Sequence, residues 1–90
     1  SKFPGAEFDC TVSVDENVNV SDILKPLKKI KAKILKSVSI KDVYLSNGQK
    51  NVTIKNEFHN ESGTLDGKEI KCLEVEIIEA LEKNNYFLKK

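Results

Sequence analysis

Arginine is absent from this chain, and histidine occurs only once. Without arginine the chain has no planar, fork-shaped donor for phosphate, which argues against chemistry of the acylphosphatase type. The single histidine, His59, has no cysteine or serine nucleophile placed beside it by the sequence. There is also no glycine-rich phosphate loop and no metal-ligand spacing. The sequence therefore argues against an enzyme in this chain by itself and predicts no cofactor.

The two cysteines, Cys10 and Cys72, lack the C-x-x-C spacing of a metallochaperone. We expect both to be buried free thiols, which suits a reducing cytoplasm. No uninterrupted apolar run is long enough to cross a bilayer, and the N-terminus shows no signal-peptide pattern, so no membrane partner is expected. A length of 90 residues predicts one domain, 1–90, and Ser1 is interpreted as a cloning remnant of a domain taken from a larger chain.

Charge is nearly balanced, with 15 lysines against 14 acidic residues and a net charge of +1. The distribution is less even, because six lysines crowd one segment: Lys25, Lys28, Lys29, Lys31, Lys33 and Lys36. Two interpretations remain open. The cluster is either the solvated side of a helix or a phosphate-facing patch, since lysine clusters release counterions when they bind nucleic acid.

Hydrophobic periodicity predicts six elements. Residues 8–14, 35–46 and 51–59 alternate as strands, and Tyr86-Phe87-Leu88 can form a short fourth strand. A first helix is predicted from Val20 to Ile30 or Ile34, capped by Asn19 or Ser21, and Pro26 predicts an irregular first turn or a kink. A second helix follows Asp66 and runs to about Asn84.

This βαββαβ order is typical of an α+β, ferredoxin-like fold, a four-stranded antiparallel sheet with both helices on one face. The opposite face of such a sheet is open to solvent and available for binding. An RNA-recognition-motif type of reader is not indicated, because the outward residues predicted for strands one and three include no aromatic side chain.

The alternation of the second strand changes parity at Lys41-Asp42. Asn47-Gly48 predicts a two-residue hairpin turn, which pairs Tyr44 with Asn51. If the residue-by-residue pairing from the turn continued without interruption, Ile40 would lie opposite Lys55 and share its face. A β-bulge at Lys41 instead pairs Ile40 with Ile54. We therefore predict that Val43 and Leu45 turn inward while Asp42 and Tyr44 turn outward beside Asn51 and Thr53.

That outward group combines a carboxylate, a phenol and an amide. A phenol ring is a stacking surface for an unpaired base, and a carboxylate matches the two adjacent donors on the Watson-Crick edge of guanine. Bases splayed from loops are commonly recognised in this way. The plainer interpretation is ordinary surface chemistry on an edge hairpin.

Several short motifs in one order carry a family resemblance. They are Lys2-Phe3-Pro4, Asp9, Val14-Asp15-Glu16 with Val18, Lys41-Asp42-Val43-Tyr44, Gly48-Gln49-Lys50-Asn51, and Thr64 to Ile70. Together they resemble the ferredoxin-fold anticodon-binding domain that closes the β subunit of bacterial phenylalanyl-tRNA synthetase. The chain departs from the family pattern at Phe8, where arginine is usual, at Lys41 (phenylalanine), at Asn51 (serine) and at Asn56 (an apolar residue).

The resemblance implies docking on the anticodon stem-loop of phenylalanine tRNA, with the first anticodon base, a guanine, contacted by Asp42, Tyr44 and Asn51. Lys36 and Lys55 complete the candidate RNA-binding set. The parent ligase would use ATP and magnesium, and its α subunit and the remainder of its β subunit would be partners in the cytoplasm. The alternative is a ferredoxin-like module that senses a small molecule or binds protein without binding RNA.

Overall fold

Residues 5–60 and 63–89 are described by the structure, a computed structural model. The Lys2-Phe3-Pro4 motif lies outside them, and the loop at 60–63 is described only at its two ends. The elements are β1 (Ala6–Asp15), α1 (Val20–Lys28), β2 (Leu35–Ser46), β3 (Gln49–Phe58), α2 (Gly67–Lys83) and β4 (Phe87–Leu88).

The four strands form one antiparallel sheet in the order β2-β3-β1-β4. Alternate residues of β1 and β3 join side chains of both helices in a single core, which places α1 and α2 on the same face of the sheet. Its buried apolar members include Cys10, Val12, Val14, Ile23, Leu27, Val52, Ile54, Phe58, Leu73, Ile77 and Leu81. The predicted ferredoxin-like fold is confirmed. The face opposite the helices is called the open face below.

Each helix begins at a predicted cap. The Asn19 side chain accepts hydrogen bonds from the backbone N–H of Ser21 at 2.9 Å and from its hydroxyl at 2.7 Å. The Asp66 carboxylate accepts from the backbone N–H of Lys68 at 2.9 Å. The two bonds from backbone N–H groups satisfy donors that the first turn of a helix leaves without partners.

The first helix is shorter than predicted. It runs through Pro26 and ends at Lys28, whereas the apolar periodicity extended to Ile30 or Ile34. Proline removes one intrahelical hydrogen bond, and the chain leaves the helix two residues later. Ile34 is still buried, but it reaches the core from the connecting segment rather than from the helix.

Two further expectations are corrected. Val43 and Leu45 face the helix side as predicted, yet 43% and 62% of their surfaces are exposed, so they are not part of the core. They lie near the turn end of β2, which is an edge strand, and neither belongs to the apolar cluster that the helices cover. Cys72 is also exposed, on α2, while Cys10 is buried as expected.

Candidate nucleic-acid interface

The hairpin that joins β2 to β3 sets the register of the candidate site. Asn47 and Gly48 have φ values of 51° and 76°. A two-residue turn with positive φ at both positions is the type I′ turn, whose twist matches that of the strands. Ser46 therefore pairs with Gln49 and Tyr44 with Asn51.

The predicted bulge is present. Ile40 pairs with Ile54 and Asp42 with Thr53, which leaves Lys41 as the extra residue on β2. Because directly opposed residues share a face, Asp42 and Tyr44 lie on the open face beside Thr53 and Asn51. A second irregularity lies between Leu35 and Ser37, which the sequence did not reveal; the extra residue there is Lys36.

Asp42, Tyr44 and Asn51 are thus brought together. Tyr44 is 58% exposed, whereas Asn51 on the central strand beside it is only 8% exposed. One oxygen of Asp42, Oδ1, accepts from the backbone N–H of Val43 at 3.0 Å. Within residues 5–60 and 63–89, no cation lies at ion-pair distance from Asp42. The carboxylate can therefore accept hydrogen bonds from a ligand without first giving up a salt bridge.

Three other acidic residues on the open face, Asp9, Glu7 and Glu57, form ion pairs with lysines. Lys41 Nζ lies 2.7 Å from Asp9 Oδ2. Lys55 Nζ lies 3.1 Å from Glu57 Oε1 and 3.4 Å from Glu7 Oε1. The hydrogen bond to Asp9 raises the pKa of Lys41, and the hydrogen bond to Glu57, together with the charge of Glu7, raises the pKa of Lys55. These lysines remain fully charged but are already partnered.

The two predicted lysine contacts are not close to Tyr44. Lys55 is four residues along β3 from Asn51, which corresponds to about 13 Å at the usual rise of a strand. Lys36 lies farther along, at the start of β2. The structure therefore separates Lys36 and Lys55 from the Asp42, Tyr44 and Asn51 group, toward the other end of the sheet.

Five of the six clustered lysines line three different depressions. Lys25 forms an ion pair with Asp22 at 2.9 Å and, like Lys29, lines a groove between α1 and α2. Lys33 lines a second depression beside the N-terminal turn of α2, and Lys28 and Lys36 line a third between α1 and β2. These lysines therefore do not all line one groove.

Comparison with known proteins shows which family the chain belongs to. The family model described as "Ferredoxin-fold anticodon binding domain" matches residues 1–88. The chain belongs to this family. It is 36% identical over 84 residues to the phenylalanine–tRNA ligase β subunit of Francisella tularensis, covering 91% of this chain. It is 33% identical over 86 residues to that of Shewanella oneidensis, again covering 91% of the chain. The chain spans about 11% of the length of each of these relatives.

The anticodon-binding fold places one further aromatic residue on the open face that the sequence analysis did not select. Phe87 of β4 pairs with Ser13 of β1, and Ser13 pairs with Asn51 of β3. Phe87 is 52% exposed. The signal in the sequence is weak, because a strand of two residues shows no alternation and its register depends on its neighbour.

Among the described parts of this anticodon-binding domain, no group of three or more His, Cys, Asp or Glu side chains is arranged to hold a metal ion. In those same parts, the helices are all too short or too polar to span a membrane.

Proposed function

We propose that this chain is the tRNA-binding domain of a phenylalanine–tRNA ligase β subunit and docks on the anticodon stem-loop of phenylalanine tRNA through its open face. The observation that carries the proposal is the grouping of Asp42, Tyr44 and Asn51 on the open face of a member of the anticodon-binding family. The domain performs no chemistry of its own. ATP, magnesium, the α subunit and the rest of the β subunit belong to the larger cytoplasmic enzyme of which we propose it to be a part.

Each of the three side chains makes a different kind of contact with one base. Tyr44 offers an exposed ring on which a base can stack, a contact worth about 1 to 3 kcal/mol. Asp42 is acceptor-only and so matches the ring N–H and exocyclic amine of guanine. Asn51, which is less exposed and lies opposite Tyr44 on β3, can add one amide hydrogen bond. The family usually has serine at this position.

Phosphate contacts are assigned to Lys36 and Lys55. A phosphate at Lys55 has to share the amine with Glu57 and Glu7, because both carboxylates are already within ion-pair distance of it. We therefore expect Lys55 to add less to affinity than an unpartnered lysine would. Substituting a true phosphate-contacting lysine by glutamine should lower the slope of log affinity against log salt by about 0.7 to 0.9.

The test is a binding titration of the 90-residue chain, at low ionic strength, with anticodon hairpins that differ only at the first anticodon base. We expect guanine to bind more tightly than inosine, which lacks the exocyclic amine, and more tightly than adenine. Tyr44→Ala should weaken binding to the guanine hairpin about 5- to 150-fold, while Tyr44→Phe retains most of it.

Asp42→Asn should weaken the preference for guanine over inosine, since it leaves one acceptor oxygen where guanine presents two adjacent donors. Glu79→Gln, which removes an exposed carboxylate from α2 on the opposite side of the sheet, is the matched control and should leave the preference intact. Equal affinity of the unmodified chain for all three hairpins contradicts base reading. Absence of binding to all three hairpins would favour the small-molecule-sensing or protein-binding alternative.

A further inference from the structure

Four residues form one straight row across the open face. Tyr44 on β2 pairs with Asn51 on β3, Asn51 with Ser13 on β1, and Ser13 with Phe87 on β4. Each pair is directly opposed, so all four side chains share the open face. We call this set the transverse row. Its two ends are aromatic and its middle is polar.

The side chains at the two ends of the transverse row are exposed, and Asn51 near its centre is buried. Phe87 and Tyr44 are 52% and 58% exposed, whereas Asn51 is 8% exposed. A depression of about 390 Å³ lies at this end of the sheet, lined by Ser13, Ser46, Asn47, Gln49, Asn51, Leu88 and Lys89. Its hydroxyl and amide groups include both donors and acceptors, which suits the polar edge of a base.

Phe87 is not needed by the core. Its neighbour Leu88 pairs with Val12 and packs against the apolar cluster, while Phe87 points to the other side of the sheet. The turn that precedes it is well defined. Asn85 adopts a φ of 64°, and the backbone N–H of Tyr86 donates to the carbonyl of Leu81 at 2.9 Å. This Schellman arrangement ends α2 and directs the chain into β4.

A cation accompanies the ring. The backbone N–H of Lys89 donates to the carbonyl of Thr11 at 2.8 Å, which continues the pairing of β4 with β1. Two residues after Phe87, Lys89 therefore returns to the open face. An aromatic ring followed by a lysine on the same face offers a surface for a base and a charge for its phosphate.

We propose that Phe87 is a second base-stacking residue, which binds another unpaired base of the same loop whose phosphate lies at Lys89. This inference rests on the proposed function, because it extends the surface assigned to Asp42 and Tyr44. Three strand spacings separate Phe87 from Tyr44, about 14 Å. Stacked neighbouring bases are only about 3.4 Å apart, so the two bases are not adjacent in one stack. At least one nucleotide lies between them, above Asn51 and Ser13.

The chain contains no tryptophan, so Phe87→Trp introduces a single fluorescent reporter. We expect its emission to be quenched when a loop base stacks on it during titration with the guanine anticodon hairpin. Val75→Trp is the matched control, since Val75 is 49% exposed on α2, on the other side of the sheet. Its emission should not change. Unchanged emission from Phe87→Trp at saturating hairpin overturns the inference.

A second measurement identifies the base. Phe87→Leu keeps apolar bulk but removes the ring, and we expect it to weaken hairpin binding about 5- to 150-fold. Abasic substitutions at single loop positions are then combined with Phe87→Leu and with Tyr44→Leu. One position should lose its effect in the Phe87→Leu background and a different one in the Tyr44→Leu background, since each pair reports one contact.

The outcomes separate this inference from the proposed function. If Tyr44→Ala weakens binding but Phe87→Leu leaves it unchanged, Phe87 has no stacking role and the proposed function stands. If both aromatic variants couple to the same loop position, a second base site is excluded. If the unmodified chain does not distinguish the guanine hairpin from its inosine and adenine versions, base reading by Asp42 fails. The emission of the Phe87→Trp variant then decides separately whether a base stacks at that position.

Discussion

Lys41 reaches across β3 to place its amine 2.7 Å from Asp9 on β1. This ion pair exists because Lys41 is the extra residue of the bulge, which turns both Lys41 and its neighbour Asp42 toward the open face. The same irregularity that exposes the candidate base-reading residues also gives Asp9 its partner. Lys41 and Asp9 are both substantially exposed, so the ion pair between them contributes little to stability. We expect the strand register that the bulge sets to contribute more.

Deleting Lys41 tests the bulge. Without the extra residue, either Val38 and Ile40 or Asp42 and Tyr44 must move to the wrong face, because side chains alternate along a strand. We expect a clear loss of stability in urea denaturation together with loss of hairpin binding. Lys41→Ala is the control, as it keeps the bulge and removes only the ion pair. A deletion variant as stable as Lys41→Ala would show that the bulge does not fix the register.

The two thiols should differ sharply in reactivity. Burial raises the pKa of Cys10 to about 11, whereas Cys72 is exposed. Since only the thiolate reacts, a thiol reagent at about pH 8 should modify Cys72 in the folded chain and Cys10 only after unfolding. Cys72→Ser should therefore abolish fast labelling, and Cys10→Ser should not. Fast labelling of Cys72→Ser would show that Cys10 is accessible.

The raised pKa of Cys10 also predicts a pH dependence. The unfolded thiol ionises near its usual value of 9.0 and the folded one near 11, so the folded state retains a proton that the unfolded state has lost. The stabilisation is complete below pH 9 and is lost as pH rises toward 11, by about 2 kcal/mol. Urea denaturation of the unmodified chain and of Cys10→Ala across this range isolates the effect as the difference between them. Parallel curves would contradict it.

Asn56 is a buried polar residue whose side chain is only partly hydrogen-bonded. It is fully buried on the helix side of β3, where its side-chain N–H donates to the Phe8 carbonyl at 2.9 Å. Its carbonyl oxygen, Oδ1, is buried without a hydrogen-bond partner among the described residues. An unpaired buried acceptor costs about 1 to 3 kcal/mol, which exceeds the ~1 kcal/mol of a typical hydrogen bond.

We therefore expect Asn56→Leu, which is similar in size, to raise the free energy of unfolding by about 1 kcal/mol in urea titrations. Asn56→Asp should lower it at neutral pH, because it buries a carboxylate beside the Cys10 thiol. If Asn56→Leu proves less stable than the unmodified chain, the bond to Phe8 outweighs the unpaired oxygen.

Local sequence signals predicted most of the fold. Asn47-Gly48 specified its turn because few residue pairs accept two positive φ values, and Asn19 and Asp66 marked helix starts because their short side chains reach the first free N–H groups. The bulge at Lys41 was predictable because two alternating patterns could be reconciled in only one way. The end of α1 was not, since apolar spacing continues through a segment that turns back to the core.

The sequence by itself determined the order of elements, the hairpin register and the outward direction of Asp42 and Tyr44, because these depend on neighbours close in the chain. Tertiary structure alone decided that Leu45 and Cys72 stay exposed, that five of the clustered lysines line separate depressions, and that Phe87 aligns with Tyr44. These relationships join elements far apart in sequence. They depend on which strands neighbour each other and how far the helices extend over the sheet, and no local pattern encodes either.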